Sequence, residues 1–188
     1  KADKVFGPGN QYVAEAKKQL FGVIGIDLPA GPSEVLVIAN SNSNPTWIAY
    51  DVLAQGEHDP NAKTYVLSKS KNILIKVKKE LKRIMEETKF KNVDQSIKNN
   101  CNLILAKSQK EIYEISNFIA PEHLHIHEKF NKNILKNIKN AGSVFLGEKS
   151  PVALGDYTIG TNHVLPTDQT AKFSSGLGVE DYTKKTVF

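Results

Sequence analysis

Between residues 34 and 147 the sequence alternates short apolar runs with longer amphipathic ones. "EVLVIAN", "TYVLSK", "NLILAK", "EHLHIH" and "SVFLG" are strand-length segments. "TWIAYDVLAQGEH", "NILIKVKKELKRIMEE", "QKEIYEISNFI" and "KFNKNILKNIKNAG" lie between them and repeat their apolar residues at helical spacing. The second of these places Ile73, Val77, Leu81 and Ile84 on one stripe, with a lysine-rich face opposite. Strands separated by helices cannot be joined as hairpins, so this order predicts an α/β domain built on a largely parallel sheet.

Upstream, residues 4 to 6 read as the end of a strand and "GPG" as a turn. "NQYVAEAKKQLFG" reads as a helix with Val13, Ala16 and Leu20 on its apolar stripe, and "VIGIDLP" as a further strand. The break "AGPSE" between two strands is the composition expected where a chain crosses from one domain into another. Asn10 and Asn44 are placed as helix N-caps, the latter followed by Pro45 in the first turn. The last forty or so residues are rich in Gly, Thr, Ser and Pro; a long irregular segment of this kind is usually functional.

Composition narrows the function classes. With 188 residues, 40% of them hydrophobic and 24% charged, the chain has the material for a packed core. Its longest apolar runs are too short or too interrupted to span a bilayer, so no membrane segment is expected. The net charge of +5 invites a nucleic-acid reading, but Arg83 is the only arginine, and base-edge and bidentate phosphate readout lean on arginine. A solvated lysine face is expected instead. Cys101 stands alone in an apolar run, which excludes a disulfide framework and predicts a buried, inert thiol of the kind found in a cytoplasmic protein.

Several residue types with chemical capacity remain. Gln55 and His58 are three apart on one helix, so their side chains share a face, either as converging metal donors or with His58 simply near a helix C-terminus. Asp156 lies between Gly155 and Gly160 in "LGDYTIGTNH", with His163 seven residues on; an Asx-turn and a surface histidine would also explain them. In "APEHLHIH" the alternation of a strand points His123, His125 and His127 one way and Leu124 and Ile126 the other. Position singles out Glu122 and His123 next to the Ala-Pro break as a carboxylate and an imidazole suited to proton transfer in more than one step, leaving His125 and His127 as structural or exposed. "FGPGN" sets two glycines before a helix N-terminus, where backbone N–H groups can meet a phosphate, yet it is neither a Walker loop nor a dinucleotide fingerprint.

Taken in order, "FGPGN", "DLPAGPSEVLVIA", "LAQGEH", "APEHL", "AGSVFLG" and "GDYTIGTNHVLPT" closely resemble the histidinol dehydrogenase family over essentially the whole chain. The resemblance implies an incomplete Rossmann-like, aldehyde dehydrogenase-like three-layer domain over residues 33–177, a remnant of a similar domain over 1–32, and the start of a C-terminal segment over 178–188. It also implies zinc- and NAD-dependent oxidation of L-histidinol to L-histidine through the aldehyde in two steps. Gln55, His58 and Asp156 would be zinc ligands that also face the substrate, with Ser33 a further substrate contact. His123 would serve as base and substrate contact, Glu122 would activate water, and Asn10 would touch NAD.

Members of the family are more than twice this long, so "KADKVF" and "TKKTVF" read as truncation points. The tail that completes the site from the other subunit of a homodimer would lie outside the chain. The expectation is therefore about half an active site, inactive or very slow alone. A metal-binding fragment without turnover, or a metal-assisted hydrolase using Glu122, are the other readings the residues leave open.

Overall fold

The computed structural model describes residues 2–88, 91–128, 132–157, 159–160 and 162–188, the side chains of 91, 92 and 132 apart. Two parallel sheets organise them. The smaller pairs β1 (Lys4–Val5) with β2 (Gly25–Ile26), and α1 (Gln11–Leu20) forms the crossover. The larger contains β3 (Glu34–Ala39), β4 (Lys63–Ser68), β5 (Cys101–Leu105), β6 (His123–Ile126) and β7 (Ser143–Leu146). Its spatial order is β5-β4-β3-β6-β7, and every pairing is parallel. The chain thus starts in the middle, winds out to one edge, and returns to wind out to the other.

β3 is buried along its whole length, which explains its unbroken run of apolar residues. Its side chains divide between two cores. Val35 and Val37 pack with Val66 beneath α2 (Pro45–Gly56), α3 (Lys71–Thr88) and Val93 of α4 (Lys91–Asn100). Leu36 and Ile38 pack on the other face with Leu67, Leu124 and Ile126, under α5 (Gln109–Ile119) and Ile134 of α6 (Lys132–Asn137). A sheet covered on both faces is the three-layer arrangement that the family resemblance implies, on the largely parallel sheet that the alternating pattern predicts.

The helix caps are as expected: Asn10 Oδ1 accepts from the N–H groups of Tyr12 and Val13, and Asn44 Oδ1 from those of Thr46 and Trp47. The α3 stripe is also as expected, with Leu74 added to Ile73, Val77, Leu81 and Ile84. Arg83 is engaged on that helix by Glu80 and Glu87. No helix among the described residues is long and apolar enough to cross a membrane.

Some expectations change. The stripe of α1 is reversed: Val13, Ala16 and Leu20 are exposed, while Ala14 and Lys17 are buried. On the buried face, Lys17 Nζ reaches Asp27 Oδ1 at 2.5 Å and also donates to the Gly7 carbonyl, so an ion pair takes the place of apolar packing there. The strand expected over 23–29 shrinks to Gly25–Ile26. The helix α4 falls where no element was read, and the expected start of α6 at 129–131 lies outside the described residues. Cys101 is half-buried against the α3–α4 core, where desolvation raises its thiol pKa.

Candidate active site

The strands β3 and β6 bring their amino ends together, and the site forms there. α2 leaves the carboxyl end of β3 and runs back along the sheet, so its last turn, with Gln55 buried and His58 exposed just beyond, arrives at that edge. After β7, the chain returns through the 3-10 turn Val152–Asp156 to the same place. A cavity of about 350 Å³ results, lined by Ser33, Gln55, His58, Glu122, His123 and Asp156 among others. A larger groove of about 810 Å³ between α3, α4 and β5 is lined by lysines, apolar residues, Glu86 and Asp94, with no imidazole among its described lining.

Glu122 and His123 owe their position to a sharp turn. α5 ends on Ala120, a fully buried residue with φ of 48°, and Pro121 follows at once. A left-handed residue before a proline is conformationally costly, and it re-aims the chain within two residues. Gly142 then passes so close that a Cβ there would lie 2.6 Å from the Glu122 carbonyl oxygen. The N–H groups of Gly142 and Ser143 donate to the carbonyls of Pro121 and Glu122 at 2.9 and 2.8 Å, holding the start of β6 in place.

The electrostatics of the pair differ from those in water. The Glu122 carboxyl is buried, and its Oε2 accepts the N–H of Glu34 at 2.9 Å, but no cation neutralises it among the described residues. Desolvation, reinforced by the charges of Glu34 and Asp156, pushes its pKa up to about 8. For His123, burial is again the largest influence and lowers the imidazole pKa, with His58 acting in the same sense against Asp156 and the Glu34 carbonyl. Nδ1 of His123 lies 3.2 Å from that carbonyl, which can only accept; Nδ1 therefore carries the hydrogen and Nε2 is left as the basic nitrogen. The two side chains lie 3.5 Å apart. A carboxyl whose pKa is raised to about 8 and an imidazole whose pKa is lowered, in one cavity, are equipped to move protons in sequence.

The other wall comes from the segment between the sheets. Gly31 N–H donates to Thr167 Oγ1 at 2.6 Å, and a Cβ at Gly31 would meet Asp168 Oδ2 at 2.1 Å, so the irregular C-terminal segment closes tightly on this junction and a larger residue there would displace the Asp168 side chain. Lys63 bridges Glu34 and Asp168 at 3.3 and 2.5 Å, joining the same segment to β3. Gly7, Pro8 and Gly9 line the cavity, whereas Asn10 does not; its oxygen is committed to capping α1. The Lys17–Asp27 pair fixes this loop from below, with Asp27 Oδ2 accepting the Gly7 N–H at 2.6 Å.

Of the residues singled out in the sequence, Ser33, Gln55, His58, Glu122, His123 and Asp156 are brought together, and Asn10 is not. His163 also lines the cavity. Asp51, Glu34, Lys17 and Thr167 also take part, and the sequence does not single them out. Asp51 had a signal, since it sits four residues before Gln55 on the same helical face; the others depend on partners distant in the chain.

Comparison with known proteins agrees with this architecture. The family model for histidinol dehydrogenase matches residues 1–188. A histidinol dehydrogenase from Listeria monocytogenes serovar 1/2a is 48% identical over 189 aligned positions, which cover 100% of this chain and 44% of that protein. The one from Aquifex aeolicus is 44% identical over 187 positions, covering 99% of this chain and 44% of the relative. The crystal structure of histidinol dehydrogenase from Elizabethkingia anophelis superimposes with a TM-score of 0.90 at 41% identity, covering 96% of this chain and 42% of that one. A propionaldehyde dehydrogenase structure from Clostridium phytofermentans, at 15% identity and a TM-score of 0.51 over 91% of this chain and 52% of that one, shares the fold. The chain spans about 44% of the length of the curated relatives it matches. Within that span, motif order, fold and family model agree, and the chain belongs to the histidinol dehydrogenase family.

Proposed function

We propose that this chain supplies the substrate-holding part of a histidinol dehydrogenase, which oxidises L-histidinol to L-histidine through the aldehyde as the final step of histidine biosynthesis. The observation that carries this reading is the convergence of Ser33, Gln55, His58, Glu122, His123 and Asp156 on one cavity at the amino edge of the sheet. Residues 33–177 form the principal domain in this reading, residues 1–32 belong to a neighbouring one, and 178–188 lead into a C-terminal segment. The working protein is a homodimer in which the partner subunit's tail completes the site.

A zinc ion suits the donors present. Gln55 and His58 sit at the C-terminal end of α2, where the helix dipole favours a cation, and Asp156 adds the one negative charge. An amide, an imidazole and a carboxylate leave coordination positions for substrate, unlike a closed structural site. For NAD, Asn10 retains its amide N–H groups, because only its oxygen is used by the cap. When bound, NAD supplies the oxidising equivalents for both steps, and zinc anchors the substrate.

The chain's own residues then divide the proton work. His123, neutral and with Nε2 available, takes the hydroxyl proton of the alcohol in the first oxidation. Glu122 takes a proton from water as the water oxygen bonds to the aldehyde carbon, a role that grows as the carboxyl ionises through about pH 8. Ser33, beside Glu34 at the head of β3, contacts the substrate from the junction between the sheets. Burial of Glu122, with His123 only partly exposed beside it, limits the bulk water that would otherwise compete for the same protons.

The test is NADH formation from L-histidinol with added zinc, by this chain and by the protein extended at both ends from its native reading frame. The extended protein is expected to turn over, the chain alone to be inactive or very slow, and His123→Ala in the extended protein to lose roughly 10²–10⁴-fold in rate. Silence of the extended protein, or an unaffected His123→Ala variant, would refute the assignment.

A further inference from the structure

Behind the cavity, the same face of β6 carries two more histidines, His125 and His127, which are 1% and 4% exposed. Asp51 reaches them from α2. One carboxylate oxygen and one ring nitrogen from each histidine all lie within 4.8 Å of one another. The hydrogen-bond pattern limits what can lie between them. Nε2 of His125 is 2.9 Å from the Gly147 carbonyl, which only accepts, so Nε2 carries a hydrogen. Nδ1 of the same ring is in close contact with Asp51 Oδ2, and a carboxylate also only accepts. A neutral imidazole would therefore set lone pair against lone pair. Some cation has to bridge them, a second ring proton or a metal ion.

His127 separates these two choices. Both of its ring nitrogens are buried; the ring lies close enough to Asp51 to help hold that carboxyl down, yet neither nitrogen makes a well-aligned hydrogen bond among the described residues. A proton on His125 leaves that ring as it is, whereas a metal ion held in common would give it a partner. The Gly147 carbonyl also grips the outer nitrogen of His125, as a backbone carbonyl commonly does behind a metal-bound histidine. Access exists as well, because His127 lines a cavity of about 620 Å³ at the carboxyl ends of β3, β6 and β7, the crevice where open parallel sheets ordinarily bind ligands.

We propose that Asp51, His125 and His127 form a divalent-cation site, separate from the Gln55, His58 and Asp156 donors, for zinc or another late first-row ion. Two imidazoles and a carboxylate are a common three-ligand set for such ions, with water as the fourth ligand. Metal–ligand bonds of roughly 2.0–2.2 Å require the Asp51–His125 contact to widen, which a small change in side-chain torsions accomplishes.

The experiment uses the protein expressed from its native reading frame, stripped of metal, with Gln55→Ala and His58→Ala introduced so that Asp156 alone remains of the other donor set. Zinc is titrated against a chromophoric chelator, and cobalt is followed by its visible d–d absorption. One equivalent is expected to bind with those two substitutions in place, and His127→Phe or His127→Gln on the same background is expected to weaken it at least tenfold. Absence of binding on the Gln55→Ala/His58→Ala background would overturn the proposal, whatever the His127 variants do. So would binding that folded His127 variants leave unchanged, with folding checked by thermal melting.

Discussion

Two buried carboxylates touch the same short strand and are treated oppositely. Glu122, at the amino end of β6, has a backbone N–H for company and no cation among the described residues, and its pKa rises to about 8. Asp51 packs against His125 and His127 further along. Burial alone would raise its carboxyl too, but the two imidazoles and the Val152 N–H outweigh that and hold it below its ordinary 3.8. Partners decide the outcome, since both are buried. An uncompensated carboxyl keeps a proton that chemistry can use, and a compensated one becomes a fixed part of the fold.

The comparison can be broken from the Asp51 side first. Asp51→Ala removes the carboxylate that faces two buried imidazoles and should cost about 3–5 kcal/mol, read as the shift in urea midpoint at constant slope. A loss below about 1 kcal/mol would mean that Asp51 is not the compensating charge. Because its folded pKa lies below the unfolded one, the stability it gives is present above about pH 4 and is lost as pH falls through the folded value.

Glu122 predicts the reverse dependence. Its folded pKa of about 8 exceeds the ordinary 4.5, so the folded protein holds the proton longer than the unfolded chain does. The stability linked to this group is complete below pH 4.5 and is lost as pH rises through about 8. Glu122→Gln removes the dependence, and the variant should gain on the order of 3 kcal/mol over wild type between pH 5 and pH 9. Parallel stability–pH curves for the two proteins would contradict this.

The smallest effect concerns the geometry that places Glu122. Gly142→Ala puts a methyl group against the Glu122 carbonyl and should cost about 1–3 kcal/mol of stability while also displacing the head of β6. In the extended protein, a rate loss larger than the stability loss explains would show that this contact aims the site. A variant as active and stable as wild type would show that the close approach is incidental.

Much of this was legible in the sequence because it is local. The caps at Asn10 and Asn44, the α3 stripe and the span of α5 follow from periodicity and hydrogen-bonding groups a few residues apart. The Gln55–His58 pair was visible for the same reason. Convergence of that pair with Glu122, His123 and Asp156 was not, because it depends on three separate returns of the chain to one sheet edge; only the ordered motif set pointed to it. The rule for open parallel sheets would have drawn attention to the carboxyl edge, whereas the candidate active site occupies the amino edge. The inward rotation of α1 was hidden as well, since a lysine reads as solvent-facing until its partner Asp27 is known to be buried beside it. His125 and His127 are buried, as the structural alternative had it, but their common neighbour Asp51 lies more than seventy residues earlier and carries no local mark.

The most direct test of the contrast is a carbon-13 NMR titration of the Glu122 and Asp51 side-chain carboxyls in one sample, assigned through Glu122→Gln and Asp51→Asn. A Glu122 midpoint near 8 is expected, with Asp51 titrating below the ordinary aspartate range. If Glu122 instead titrates near 4.5, as an ordinary carboxyl does, it is not the poised acid–base group described here, and the division of labour along β6 fails.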